Sequence, residues 1–210
     1  MMLKISNPSF KLYLSLVLFL SIALIACTKE EVDPLYGEAK LRIINASPEA
    51  NEYSFFINDT LKTGQALKYA EASGYLSVSA GTNSVYTKLN NEVLSNTNFP
   101  LFLDENSNYT LFLAGKASKD SLVYVSTSDD LTFVSDTMAT VRFINVSPNS
   151  PNLNLVFQTS LVDSTNVISS INYRSASSYV KIKPTTYYLR IKKIVGNVSL
   201  ANLDAYPLEA

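Results

Sequence analysis

Hydrophobic and polar positions follow two regimes along this chain. From Leu12 to Ala26 the residues are apolar or aromatic except at Ser15 and Ser21. From Ala39 onward, apolar residues come in short stretches separated by Asn, Ser, Asp and Pro. The first regime follows Lys4 and Lys11 and has the form of an export leader, too short for a helix crossing about 30 Å of hydrocarbon. The second alternates with period two, as in Leu76-Ser77-Val78-Ser79-Ala80, and predicts half-buried strands. On this pattern, opening strands are expected at Leu41–Ile44 and Val141–Ile144. Second strands come next at Glu52–Asn58 and Asn152–Gln158, with others at Asn83–Leu89, Tyr109–Ala114 and Leu122–Val125. With only six glycines, turns fall to Asn, Ser, Asp and Pro. Tyr69 and Tyr75 flank one such turn, and their rings are expected to point inward with partnered hydroxyls.

The alternating regime repeats itself. Ala39-Lys-Leu-Arg-Ile-Ile-Asn-Ala-Ser-Pro48 recurs as Ala139-Thr-Val-Arg-Phe-Ile-Asn-Val-Ser-Pro148. Tyr69-x-x-Ala72-Ser73-x-Tyr75 recurs as Tyr173-x-x-Ala176-Ser177-x-Tyr179. Two blocks in the same order mark a duplicated unit. The expected organisation is a leader over residues 1–26, a tether over 27–38, a first repeat over 39–138 and a second over 139–210. Short strands divided by turn signals predict an all-β chain of two tandem antiparallel β-sandwiches, immunoglobulin-like or transthyretin-like. The second is incomplete. Phe99-Pro100-Leu101 corresponds to Tyr206-Pro207-Leu208, after which the first repeat still has Asn108 to Val125. The expectation is a sequence continuing past Ala210; the alternative is that a partner or neighbouring segment supplies the two strands, since an uncovered edge invites aggregation.

Arg42-x-Ile44-Asn45-x-Ser47-Pro48, the Tyr-x-x-Ala-Ser-x-Tyr block, the Ala80-Gly81 turn, and Asn108-Tyr109-Thr110 leading to Ala114-Gly115 together resemble the domain of unknown function 4397 family. The resemblance covers residues 39 to about 130, and 139 to about 208 less completely, with Pro184-Thr185 standing where the first repeat has Ala80-Gly81. It implies an extracytoplasmic β-rich domain, often repeated and often secreted or lipid-anchored. It implies no activity and no active site.

Leu24-Ile25-Ala26-Cys27 resembles the lipobox of bacterial lipoproteins, and Cys27 is the only cysteine. The expected processing is cleavage before Cys27 and lipidation of its sulfur, two or three acyl chains being enough for stable anchoring. An ordinary cleaved leader or a membrane-spanning anchor is the competing reading. Thr28 rather than Asp comes after the cysteine, and Thr28-Lys29-Glu30-Glu31 resembles the export signal of surface lipoproteins. Outer-membrane attachment facing outward is therefore expected, with a periplasm-facing anchor and a merely solvated tether as alternatives.

Composition narrows the chemistry. Histidine is absent, which with one cysteine removes His/Cys zinc sites, Ser-His-Asp and Cys-His catalysis, and intrachain disulfides. Of 17 basic residues, Lys4 and Lys11 lie in the leader, so the remainder stands against 18 acids with a net charge of about −3. No basic stripe suits nucleic acid. Asp104-Glu105-Asn106-Ser107-Asn108 lacks the alternating acids and glycine of a calcium loop and reads as a solvated hairpin. Asp129-Asp130 could serve acid–base chemistry only if the two converge. Asn45/Ser47 and Asn145/Ser147 read as strand terminators. Arg42 and Arg142 are expected either to pair with an acid or to stack on a tyrosine. Four Asp-(Ser/Thr) steps, at Thr60, Ser121, Thr137 and Ser164, resemble O-glycosylation acceptors of bacteria that glycosylate exported proteins; turn chemistry explains them equally.

No catalytic residue, metal site or cofactor is expected. The leading functional reading is a non-enzymatic surface lipoprotein serving as a spacer, an adhesin or a binding module for a glycan or protein ligand. The alternatives are a carboxylate-dependent glycan hydrolase, which needs two acids roughly 5–9.5 Å apart in one cleft, and an accessory subunit of a surface complex.

Overall fold

Strand β1 (Glu38–Asn45) has one dry face and one wetter one: Ala39, Leu41, Ile43 and Asn45 are buried while Glu38 and Lys40 are exposed. The computed structural model describes residues 37–49, 51–94, 97–119, 121–132, 137–160 and 166–209. These lie in one compact unit, Tyr36–Ala210. The leader, Cys27, the tether up to residue 36 and Ser164 lie outside the described residues, while Glu38, expected to end the tether, opens β1.

The described chain is all-β, apart from 3-10 turns at Ala117–Lys119 and Val195–Asn197. In the first repeat, β1 is followed by β2 (Ser54–Ile57), β3 (Thr60–Leu61), β4 (Leu76–Ser79), β5 (Gly81–Leu89) and β6 (Glu92–Val93). Then come β7 (Phe99–Leu103), β8 (Asn108–Ala114) and β9 (Val123–Asp129). One sheet has the order β4-β1-β8-β9, and another joins β3, β2, β5 and β6, with β7 also on β5. Both sheets feed one hydrophobic cluster: Leu41 and Ile43 of β1, Phe55 and Ile57 of β2, Leu103 of β7, and Leu111 and Leu113 of β8 are all fully buried. Each such side chain contributes about 1.5–3 kcal/mol.

The second repeat runs β10 (Ala139–Val141), β11 (Ile144–Asn145), β12 (Leu153–Gln158), β13 (Asn166–Ile171) and β14 (Ser175–Ala176). It ends with β15 (Val180–Ile182), β16 (Thr186–Lys193) and β17 (Ser199–Pro207). A four-stranded sheet has the order β13-β12-β16-β17, while β10 pairs with β15 and β11 with β14. A second, smaller cluster gathers Leu155, Phe157, Ile168, Ile182 and Tyr187. Among the described residues, no sheet mixes strands from the two repeats.

Several expectations are corrected. Pairing is antiparallel at every named pair except β1–β8, which is parallel over Lys40–Asn45 and Asn108–Leu113. The purely antiparallel reading missed it because the whole other sheet intervenes in sequence, a crossover that only long connections permit. β7 was not anticipated; among the described residues it pairs with β5 alone, and an edge tolerates proline. Tyr69 is 55 % exposed rather than turned inward. The opening strand of the second repeat is broken into β10 and β11 at Arg142-Phe143. In the first repeat the β4 side of β1 has the same gap, pairing only Glu38–Leu41 and bridging again at Ile44. There the unbroken β8 ladder on the other side holds β1 straight. β10 and β11 have no such second neighbour among the described residues.

The proline correspondence read from the sequence does not hold in register. Phe99 pairs with Val85, the partner of Ile57. The equivalent position in the second repeat is Leu189, the partner of Phe157, and it pairs with Leu203 rather than Tyr206.

Candidate functional site at the junction of the repeats

The repeated motif residues are mostly pins. Asn45, fully buried, donates from its amide nitrogen to the Leu67 carbonyl (2.9 Å) and accepts at Oδ1 from the Ser47 amide (3.0 Å). Asn145 repeats both contacts, to the Ile171 carbonyl (3.2 Å) and from the Ser147 amide (3.2 Å). This is the side-chain turn that short amides favour, and it stops the strand while tying it to the next loop. Ser73 and Ser177 act in place of a strand carbonyl. The Ile43 amide donates to Ser73 Oγ and the Phe143 amide to Ser177 Oγ, each at 2.9 Å. These two amides fall in the gaps of the opening strands, which is why a hydroxyl recurs there.

The two arginines behave differently, although each lies over its own repeat's tyrosine. The Arg42 guanidinium carbon is 5.2 Å from the centre of the Tyr75 ring, and Arg142 is 4.7 Å from that of Tyr179. Arg42 then donates to Thr110 Oγ1 on β8, from Nε at 3.2 Å and from a terminal nitrogen at 3.1 Å. Arg142 instead crosses to the first repeat. It donates to the Ser128 carbonyl (2.7 Å), to Thr127 Oγ1 (2.9 Å) and to Asp129 Oδ1, forming an ion pair with that carboxylate. Both alternatives left open for Arg142 are realised: it pairs with an acid and stacks on a tyrosine.

Asp129, at the end of β9, is the centre of this junction. Its side chain is 3 % exposed and that of Arg142 is 13 % exposed. Oδ2 accepts from the Tyr75 hydroxyl (2.7 Å) and from Thr110 Oγ1 (2.6 Å). Burial, and then the hydrogen bond to Asp129, hold the Tyr75 hydroxyl above its ordinary pKa. The backbone amide of Asp130 donates to the Tyr179 hydroxyl (3.2 Å), closing a second link between the repeats. Asp129 is the junction residue that sequence reasoning undervalued. The available signal was a buried-strand acid close behind a β8–β9 register rich in Thr, with two repeated arginines needing a partner.

The two adjacent acids diverge. Asp130 is exposed, and the hydroxyl and backbone amide of Thr132 hold its carboxyl below the usual range. Both aspartates border an open cleft that is otherwise lined by Asn106, Ser107, Asn108, Ser128, Leu131 and Thr132. Leu131 is its one large apolar wall, and so polar a lining gives a small ligand little to bury. With Asp129 committed on both oxygens, the pair does not form two free carboxylates facing one cleft. Asp104, in the loop read as a solvated hairpin, accepts from the Tyr109 hydroxyl (2.7 Å). Among the described residues, no group of three or more acids or cysteines is placed to hold a metal ion.

Three of the four glycosylation candidates fall among the described residues, and all three are exposed. Thr60 follows the Asn58-Asp59 turn, whose φ values of 48° and 61° are those of a tight hairpin. Thr60 and Thr137 are exposed. Ser121 is exposed too, and its Oγ accepts from the Lys116 amide and donates to the Lys116 carbonyl, both at 3.2 Å. The backbone there is tight: a Cβ on Gly115 (φ 89°) would lie 2.0 Å from the Ser121 carbonyl, so only glycine fits. On the outer face of β2 and β5, Phe56 and Tyr86 stack at 5.1 Å, with the Lys88 amine 4.4 Å from the Phe56 centroid.

None of the curated proteins matches the sequence. The profile of a family described as a domain of unknown function (DUF4397) matches residues 39–156, from the opening of β1 through most of β12. That span holds the first copy of both repeated blocks, the Asp129 junction and the first copy-two strand motif. More than half of the chain is covered, and the protein belongs to the DUF4397 family of domains of unknown function.

Proposed function

We propose that the chain is a lipid-anchored envelope protein, cleaved before and lipidated on Cys27. It is held in the outer membrane facing outward, and presents two tandem β-sandwich repeats as a non-enzymatic binding, adhesion or spacer module. The observation that carries this reading is the apolar run Leu12–Ala26 ending on the sole cysteine, with a charged tether behind it. The junction supports the second half of the reading. The buried Arg142–Asp129 ion pair, the Arg142 bonds to Thr127 and Ser128, and the Asp130–Tyr179 hydrogen bond couple the repeats, which suits a part that must hold a surface at a fixed distance from a membrane. The commitment of both Asp129 oxygens weighs against a hydrolase built on Asp129 and Asp130.

Growth of the expressing cells with radiolabelled palmitate tests the anchor. The mature protein is expected to carry label, and Cys27→Ser to lose label and membrane fractionation together. Label retained by Cys27→Ser, or absent from the wild type, sinks the reading. Protease added to intact cells then separates an outward from a periplasmic face.

A further inference from the structure

Tyr69 opens the second repeated block and is 55 % exposed. Its backbone is nevertheless held on both sides. Ala70, the next residue, has φ 65° and donates its amide to the Asn45 carbonyl (2.8 Å). Arg174, the residue after Tyr173, also has φ 65° and donates to the Asn145 carbonyl (2.7 Å). A left-handed backbone is unfavourable for a residue with a Cβ, so each repeat carries strain directly behind this tyrosine. On the other side, the Lys68 amide donates to the Glu71 carboxylate (2.9 Å), and Leu67 exchanges backbone bonds with Tyr53 (2.9 and 3.0 Å). The Tyr69 ring is thus mounted on a fixed stretch of chain, and its hydroxyl has no partner among the described residues.

Tyr69 lines an open groove together with Pro48, Glu49, Asn51, Glu52 and Lys68, all of them in the first repeat. The polar side chains there are only partly committed. Glu49 is occupied by the Ser118 hydroxyl and by the amides of Ala117 and Ser118. Asn51 donates from Nδ2 to the Tyr53 hydroxyl (3.3 Å), while its Oδ1 has no partner among the described residues. Glu52 and Lys68 meet at 3.7 Å, with side chains 55 % and 64 % exposed. A pair so wet gains little from its contact and parts at little cost. One aromatic ring therefore shares a groove with a carboxylate, an amide oxygen and an ammonium that are all available for new bonds.

We propose that this groove binds a neutral glycan, with Tyr69 as the platform for one pyranose ring. A pyranose carries a face of weakly positive C–H bonds, which packs on the negative face of an aromatic ring. Its rim of hydroxyls needs donors and acceptors at the same time. Glu52 and the Asn51 oxygen accept from that rim, and Lys68 donates to it. A purely apolar occupant would strip water from these groups without replacing the bonds, which weighs against an apolar peptide anchor. Two carboxylates against one ammonium leave the groove negative, so a sugar acid is repelled where a neutral sugar is not. The fixed backbone on either side of Tyr69 means that little ordering is left to be done on binding. This rests on the binding-module reading of the proposed function, whose ligand class and site it names, but not on the lipid anchor.

The test is affinity electrophoresis of the full chain, released with detergent from the expressing cells, through gels holding dextran, mannan or galactan. Polygalacturonate serves as the acidic comparison. Retardation by at least one neutral polymer is expected, and none by polygalacturonate. Tyr69→Ala should weaken retention about tenfold, the scale of one lost ring contact. Tyr69→Phe, which keeps the ring, should stay within about threefold. Phe102→Ala, at a 62 % exposed aromatic of β7, should leave retention unchanged. Retardation by none of the neutral polymers overturns the proposal, as does retention that survives Tyr69→Ala or that polygalacturonate matches. Equal loss in Phe102→Ala overturns it too, because unspecific apolar adhesion then explains both. If Tyr69→Ala lowers the thermal midpoint, Glu52→Gln decides, with retention expected to weaken about fivefold and unchanged retention counting against the site. Palmitate labelling of the same preparation reads the anchor separately: label without retention overturns the glycan site and leaves the envelope reading standing.

Discussion

Two residues show how an identical motif does unequal work. Ser47 is fully buried and its Oγ has no hydrogen-bond partner among the described residues, whereas Ser147 is exposed. A buried orphan hydroxyl costs about 1–3 kcal/mol. Ser47→Ala is therefore expected to stabilise the protein by about 1 kcal/mol in urea denaturation, and Ser147→Ala to leave it within about 0.5 kcal/mol. Glu49 offers a pH handle. The Ser118 hydroxyl, and then the amides of Ala117 and Ser118, hold its carboxyl below the usual range. A carboxylate with a lowered folded-state pKa stabilises above its unfolded value and stops doing so as pH falls through the folded one. Glu49→Gln should accordingly lose under about 1 kcal/mol at neutral pH, with the gap to wild type closing as pH falls below about 4. A gap that persists at pH about 2.5 would count against the ionic origin.

At the scale of elements, alternation made β1, β2 and β5 legible, because each has one buried and one wetter face, whereas β8 and β9 bury consecutive residues and were legible as short apolar runs. Two-residue strands such as β3 and β6 carry no period to detect. β7 was not anticipated, and the parallel β1–β8 pair was hidden by its long sequence separation. The serine that fills the gap in the opening strand was seen as a repeat but not as a strand surrogate, since nothing in a sequence says where a ladder lacks a carbonyl. Its role yields an asymmetry. Ser73→Ala and Ser177→Ala each leave one amide unpaired, at about 1–3 kcal/mol. β1 has β8 behind it; β10 and β11 have no second neighbour among the described residues. Hydrogen exchange over residues 139–145 should therefore accelerate more in Ser177→Ala than exchange over 39–45 does in Ser73→Ala. Equal acceleration would argue that the second repeat's opening strands are as well supported as β1.

For the whole molecule, the junction was half legible. The sequence displayed two arginines in need of partners and two adjacent acids, but joining Arg142 to Asp129 required the fold to bring the repeats together. Breaking a buried ion pair leaves an uncompensated charge and costs about 3–5 kcal/mol. Arg142→Ala should remove that much. It should also split a single calorimetric unfolding transition into two, because the Arg142 bonds to Thr127, Ser128 and Asp129 span the repeats. The exposed Lys68–Glu52 pair, at 3.7 Å, is a built-in control. Lys68→Ala is expected to change stability by less than about 1 kcal/mol and to keep one transition.

The parallel seating of β8 against β1 also governs time. A chain synthesised N-terminus first delivers β1 long before β8, since the Arg42–Thr110 contact spans 68 residues. The first strand out must wait, half paired, while the β8–β9 hairpin forms from its own neighbours. Loop closure over that distance comes before any reward from the contacts it brings, which places folding in the millisecond-to-second range of non-local β proteins. During that wait β1 exposes an unpaired edge bearing Leu41 and Ile43, so the nascent chain is most vulnerable to aggregation before residue 114 has emerged.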